Sequence, residues 1–327
     1  MVIFFRDKSI GAIFFLVVLC VLVHYRFFIV PPQVAISVDD GVLSIVLRKC
    51  FAGLSGTILV VLYYALILLQ AIRLNFILDE FRMFQRTAFT TAFSYILLSS
   101  IIPQWSNLTP ALVANSLVIW IFLKLSRLYN NPSPKTLLFN TGLIVGLTVL
   151  AYHPTAILVL VVLFALAILR PFRLAEWLVL VIGIITPYYF LVSILFLKDK
   201  LYLLHRFLPE PHFNTSFHHP DTWFWLSLSV VLLLVLVSFY YWLPNNNRMI
   251  IQIRKNWAVM IVMLLILLTV PFIFKNAGIE SAVMILVPLA AFVSNAFLYP
   301  RRLLLPTVLF AAALVIVLHN NWTFIKN

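Results

Sequence analysis

Two adjacent carboxylates, Asp39 and Asp40, stand in the first long polar break of an apolar chain, PPQVAISVDDGVLSIVLRKCFA at 31–52. Arg48 and Lys49 follow them at a distance of about two to three helical turns. A carboxylate in such a loop can act as a general base, taking a proton from an acceptor hydroxyl while its neighbour orients that group or holds a metal. Adjacent acids point in different directions on any regular backbone, so at most one of the two, Asp39 or Asp40, is the base. Arginine grips a phosphate through two parallel hydrogen bonds and lysine acts as a point charge. A lipid phosphate or pyrophosphate is the anion that suits this pair. The plainer account of the same residues is a solvated acidic turn before a short interfacial helix, Val42–Leu47. Asp40 then caps that helix beside Gly41, and the two bases rest on ordinary lipid headgroups.

A second polar stretch, KDKLYLLHRFLPEPHFNTSFHHPDT at 198–222, supplies Lys198, Lys200, His205, Arg206, His212, His218 and His219. Anion contact through His205 and Arg206 is the chemistry it suits best, beside simple interfacial solvation. Its histidines do not follow H-x-x-x-H or H-E-x-x-H, the spacings that put two ligands on one helix face, so no metal ligand is assigned. Two of them with Asp221 and an acid of the first stretch still leave a divalent metal ion open as a cofactor. His153, before Pro154 and between apolar runs, either lines a cavity or ends a helix on backbone bonds. The chain carries no Walker loop, G-x-G-x-x-G, nucleophile elbow or H-E-x-x-H, which excludes ATP-driven transport by this chain alone.

These residues need elements to hold them, and composition says which. Of the 327 residues, 64% are hydrophobic and 10% charged, against about half and about a quarter in a soluble domain. The chain is therefore expected to be an integral membrane protein. Windows of roughly twenty apolar residues fall near 10–30, 54–72, 87–102, 108–123, 136–152, 155–169, 177–197, 223–243, 257–274, 282–298 and 303–318. That makes about 11 spans in one membrane domain, 1–327. Arg6 and Lys8 precede the first run as in a signal peptide, but the run is long and no small-x-small site closes it, so it is expected to stay.

With the N-terminus inside and the connections alternating, every inside segment carries at least two Lys or Arg, fifteen of the 23 in all. The net charge of +13 is thus a topology signal, and nucleic acid is not an expected partner. The C-terminus falls outside. So do all seven histidines, or the span ends that carry them, and six of the ten acids. The stretch 73–86 reads as an amphipathic helix at the inner interface or an extension of the second span. Gly142 and Gly146 form a G-x-x-x-G for close helix packing. Cys20 and Cys50 read as thiols without a disulfide framework.

Two resemblances follow. The middle of the chain, ALILLQAIRLNFILDEFRMF, SYILLSSIIPQWSNLTPALVANSLVIWIFLKLSRLY and LLFNTGLIVGLTVLAYHPTAILVLVVLFALAILRPFR, looks like an uncharacterised family of polytopic inner-membrane proteins from Bacteroidetes-type bacteria. In plan, and in NTGLIVGLTVLAYHPTAIL, the chain is similar to the GT-C membrane glycosyltransferases. That resemblance implies an all-α transmembrane bundle with a catalytic acid in the first outer loop and a second important outer loop after the seventh span. Asp39 or Asp40 would match the acid, and 198–222 the later loop. It further implies transfer from a polyprenyl-phosphate-linked sugar at the periplasmic face of the bacterial inner membrane, in cell-envelope glycan assembly. The competing expectations are a non-enzymatic subunit or scaffold of an envelope-assembly or secretion machine, and a lipid or small-solute transporter. Intramembrane charge, which a transporter would use, is almost absent.

Overall fold

The computed structural model describes the chain except residues 1, 37–40, 52, 212, 214–221, 275–276 and 327, and omits the side chains of residues 10 and 323–326. Helix makes up 79% of the protein and no strand occurs among the described residues. The α-helices are α1 Ile10–Val23, α2 Val42–Phe51, α3 Gly56–Glu80, α4 Thr90–Ile101, α5 Pro110–Ser126, α6 Pro134–Ala151 and α7 Leu158–Leu169. They continue with α8 Leu174–Leu197, α9 Thr222–Asn246, α10 Ile251–Leu267, α11 Val270–Ile273, α12 Leu286–Leu298 and α13 Leu304–Lys326. Lipid offers backbone N–H and C=O groups no partner, so apolar runs of this kind satisfy them internally as helices.

Among the described residues seven helices are long and apolar enough to cross a membrane, and they make the protein membrane-embedded. Four shorter apolar helices, Gly11–Val23, Thr90–Ile101, Pro110–Ser126 and His153–Leu169, occupy the remaining apolar windows. One short helix and the end of one long span form the centre. All twelve residues of α4 are buried, and α12, packed against α4, is buried along its whole length. By contrast α8 and α9 bury only 22% of their apolar windows. Their exposed faces (Ile182, Ile185 and Phe190 on α8; Leu232 and Leu236 on α9) are apolar, as a lipid-facing surface requires.

The connections gather at two ends. At the near end, which carries residues 2–9, Phe89 N–H donates to Phe5 O at 2.9 Å and Arg6 Nε to Phe297 O at 2.8 Å. There too Trp257 Nε1 donates to Met83 O at 3.1 Å and Lys255 Nζ to Leu169 O at 3.2 Å. At the far end Leu108 N–H donates to Gln33 O at 2.9 Å, Trp105 Nε1 to Ile279 O at 3.0 Å, and Asn321 Nδ2 to Val23 O at 2.8 Å. Successive apolar segments therefore run antiparallel, and the chain starts and finishes at opposite ends.

The stretch 73–86 resolves as an extension of α3, which continues to Glu80 and stops where Arg82 takes a left-handed φ of 50°. Met83 N–H then reaches back to Leu78 O at 2.9 Å, and Arg82 N–H to Asp79 O at 3.0 Å, closing the helix end. The glycine motif does pack. A Cβ at Gly142 or Gly146 would strike the carbonyls of Leu180 or Ile184, so the α6 and α8 backbones are in direct contact, with Gly183 facing Phe139 O from the other side.

Candidate functional site

At the far end the chain leaving α1 runs through Pro31 and Pro32 and pairs Val34 with Leu108 in an isolated parallel bridge. Ala35 N–H donates to Leu108 O at 3.2 Å, which ties the stretch to the α4–α5 connection. It next surfaces among the described residues at Gly41, whose φ of +120° only glycine adopts freely. An added Cβ there would lie 2.5 Å from Ala151 O, so the backbone rests directly on the C-terminal end of α6. From this anchor α2 starts, and it ends before Gly53, a second glycine at positive φ (93°). Leu47 and Ser44 turn inward along α2, and Ile45, Val46, Arg48 and Lys49 are exposed.

The second wall comes from the end of α8. Asp199 adopts φ 52°, Lys200 N–H bonds Leu195 O at 2.9 Å, and Asp199 N–H bonds Phe196 O at 3.0 Å. This closed helix end turns the chain into a 3-10 helix, Leu201–Phe207, which faces α2.

Between the two walls lies a cavity of about 360 Å³ lined by Gly41, Ser44, Ile45, Arg48, Lys49, Leu203, Arg206 and Phe207. The α2 residues, Ser44, Ile45, Arg48 and Lys49, are spaced i, i+1, i+4 and i+5, one continuous face of the helix, with Gly41 just before its start. Those from the second wall are spaced i, i+3 and i+4. Three cationic side chains, Arg48, Lys49 and Arg206, therefore converge on one space although Arg206 lies 157 positions beyond Lys49 in the chain. Among the described residues none of the three has an ion-pair partner. Arg48 makes one long contact, from its guanidinium to Ile36 O at 3.5 Å. Converged like charges attract anions, and Ile45, Leu203 and Phe207 make the rest of the wall apolar.

The other sequence-derived candidates fall as follows. His205 is exposed, with Nδ1–H donating to Tyr202 O at 2.8 Å, and it is not among the lining residues. His153 is buried at the start of a 3-10 helix, His153–Ile157, two residues beyond the carbonyl on which Gly41 rests, and it does not line the cavity either. Asp39 and Asp40, immediately before Gly41, lie outside the described residues, as do His212, His218, His219 and Asp221. Among the described residues no three His, Cys, Asp or Glu side chains group as a metal site. Sequence reasoning missed Gly41 and Ser44 as wall residues. Counting back four from Arg48 would have found Ser44, which shares its helix face, whereas Gly41 precedes the helix at a left-handed φ and follows no helical spacing.

A model of a family of unknown function, DUF6427, matches residues 33–326. The chain belongs to that family. The matched stretch takes in both walls of the cavity and all the helices from α2 to α13. A search of curated proteins finds no match for this DUF6427 protein.

Proposed function

We propose that this DUF6427 protein is a membrane-embedded transferase that takes a sugar or related group from a polyprenyl-phosphate carrier at the periplasmic face of a bacterial inner membrane. The observation that carries the reading is the convergence of Arg48, Lys49 and Arg206 on a half-apolar cavity whose lining also includes Gly41, the residue that follows Asp40 in the sequence. In this reading the near end is cytoplasmic, because fifteen of the 23 Lys and Arg belong to it. The chain then crosses eleven times in a GT-C-like plan, with its C-terminus periplasmic.

The chemistry is group transfer at a glycosidic carbon. Asp39 or Asp40 takes the proton from an acceptor hydroxyl, whose oxygen attacks the anomeric carbon. The bond from that carbon to the carrier phosphate oxygen breaks, and the electron pair leaves with the phosphate. A diester with one charge becomes a monoester with up to two. Arg48, Lys49 and Arg206 hold that growing charge, which is the point at which fixed cations lower a barrier most. Ile45, Leu203 and Phe207 flank the first isoprene units. From Val42 to Arg48 the helix rises by about 9 Å, the order of length of one sugar ring with its phosphate. Base and phosphate clamp can therefore sit at the two ends of one donor.

The test is turnover of polyprenyl-phosphate hexoses by the full chain in nanodiscs, with free polyprenyl phosphate read by mass spectrometry. The double variant Asp39→Asn, Asp40→Asn should remain folded and release none above background. Release at the wild-type rate from that variant removes both acids from the reaction and the transferase reading with them.

A further inference from the structure

Ser44 lies on the cavity-lining face of α2, one turn before Arg48, and is only 1% exposed. Its Oγ has no hydrogen-bond partner among the described residues. That is unusual for this chain. Helical hydroxyls elsewhere in it donate back to a carbonyl three or four residues earlier: Ser100 to Leu97 O at 2.9 Å, Ser227 to Trp223 O at 2.9 Å, and Ser238 to Leu234 O at 2.6 Å. Two other buried serines, Ser94 and Ser126, lack a partner, but neither lines this cavity. A hydroxyl carries one donor and two acceptor positions, and burying it unused is unfavourable. At Ser44 that unused donor lies within the cavity wall itself, with less than 1 Å² of Oγ accessible, and the other polar side chains of that wall are all cationic.

We infer that Ser44 Oγ is a further binding group for the phosphate headgroup, donating its proton to a phosphate oxygen that Arg48, Lys49 and Arg206 hold from above. This rests on the reading of the cavity as a phosphate site. The helix geometry suits it, because long side chains lean toward the N-terminus of their helix and so carry the Arg48 guanidinium back over the turn that holds Ser44. The three cations are exposed and Ser44 is the buried group, so the phosphate enters with its charge on the cations and one oxygen on the floor. Cations alone select charge. A hydroxyl at fixed depth adds selection for a tetrahedral oxyanion small enough to reach the floor.

The experiment measures the binding of farnesyl phosphate to the full chain in nanodiscs, with farnesol as the uncharged control and inorganic phosphate as competitor. Ser44→Ala should weaken farnesyl phosphate roughly tenfold, the loss expected for one hydrogen bond to a charged group. Farnesol binding and the midpoint of thermal unfolding should not fall. The companion variant Arg48→Gln, Arg206→Gln separates the two levels of the argument. If it loses affinity while Ser44→Ala does not, the cavity remains a phosphate site and the assignment of Ser44 is wrong. If neither loses affinity, the cavity reading goes and takes Ser44 with it. A lower unfolding midpoint for Ser44→Ala makes the hydroxyl a structural group and likewise overturns the assignment. Competition by inorganic phosphate at similar concentrations points to a free phosphate, and its failure points to a lipid headgroup. In either case the Ser44 contact requires the loss in Ser44→Ala.

Discussion

The two ends of the bundle use charge in opposite ways. At the near end, three acids are paired: Glu176 with Arg170 at 2.8 Å, Glu80 with Arg127 at 3.0 Å, and Asp79 with Lys8 at 3.2 Å. Arg170 also donates to the carbonyls of Leu128 and Asn131 at 3.0 Å each, so it locks the α5–α6 connection to the start of α8. Charge there is structural where it meets a partner, as at Lys8, Arg127 and Arg170, or a backbone carbonyl, as at Arg6 and Lys255. At the far end Arg48, Lys49 and Arg206 surround a space, and all the ion pairs among the described residues lie elsewhere. Basic residues near a membrane are therefore not one class. What separates them is whether the fold has already satisfied them.

If that contrast holds, near-end variants lose stability and far-end variants lose binding. The largest stability effect should come from Glu176→Ala, which leaves the Arg170 guanidinium, with its side chain 10% exposed, without its acid. Removing one partner of a buried pair costs about 3–5 kcal/mol. Unfolding in detergent should show it as a clear drop in midpoint, and an unchanged midpoint would erase the contrast.

Next comes Gly146→Leu, at the seam from which both walls of the cavity hang. Overpacking of this kind costs about 1–3 kcal/mol, and here it must also move α8 and with it Arg206. Farnesyl phosphate binding should fall along with stability. Loss of stability alone would mean that the second wall does not depend on the α6–α8 contact.

Gly41→Ala imposes a side chain at φ +120° against Ala151 O, a strain of roughly 1–3 kcal/mol. It should weaken binding by displacing α2 while α1 and α3 to α6 stay packed, as limited proteolysis can verify. The smallest stability effect belongs to Arg48→Gln, within about 0.5 kcal/mol of wild type because the side chain is exposed. Yet this change should weaken farnesyl phosphate binding and flatten its dependence on salt. A stability loss comparable to that of Glu176→Ala would place Arg48 with the near-end residues.

The sequence made the bundle legible because hydropathy and the placing of Lys and Arg are local signals. It also made α2 and its cations legible, since Arg48 and Lys49 fall on one face of a short amphipathic run. The role of α4 was harder to see. A window of hydropathy registers Thr90–Ile101 as a short span, but not that every one of its residues is enclosed by other helices and none by lipid. The second wall was legible in residue type only. Arg206 stood out as a cation, whereas its approach to Arg48 depends on Asp199 turning left-handed to reverse the chain after α8. No pattern in 198–222 announces that turn. His153 was ambiguous for a related reason, because a histidine before proline looks the same whether it lines a cavity or, as here, is buried at the start of a 3-10 helix beside one.

The central claim is that the far-end cations are held apart to receive a phosphate. Cryo-EM of the full chain in lipid nanodiscs with added polyprenyl phosphate tests it most directly. The account predicts headgroup density between Arg48, Lys49 and Arg206, within hydrogen-bond reach of Ser44, with the prenyl chain leaving past Ile45 and Phe207. A clear map with polyprenyl phosphate bound elsewhere on the protein, and those three side chains turned to bulk solvent, would contradict it.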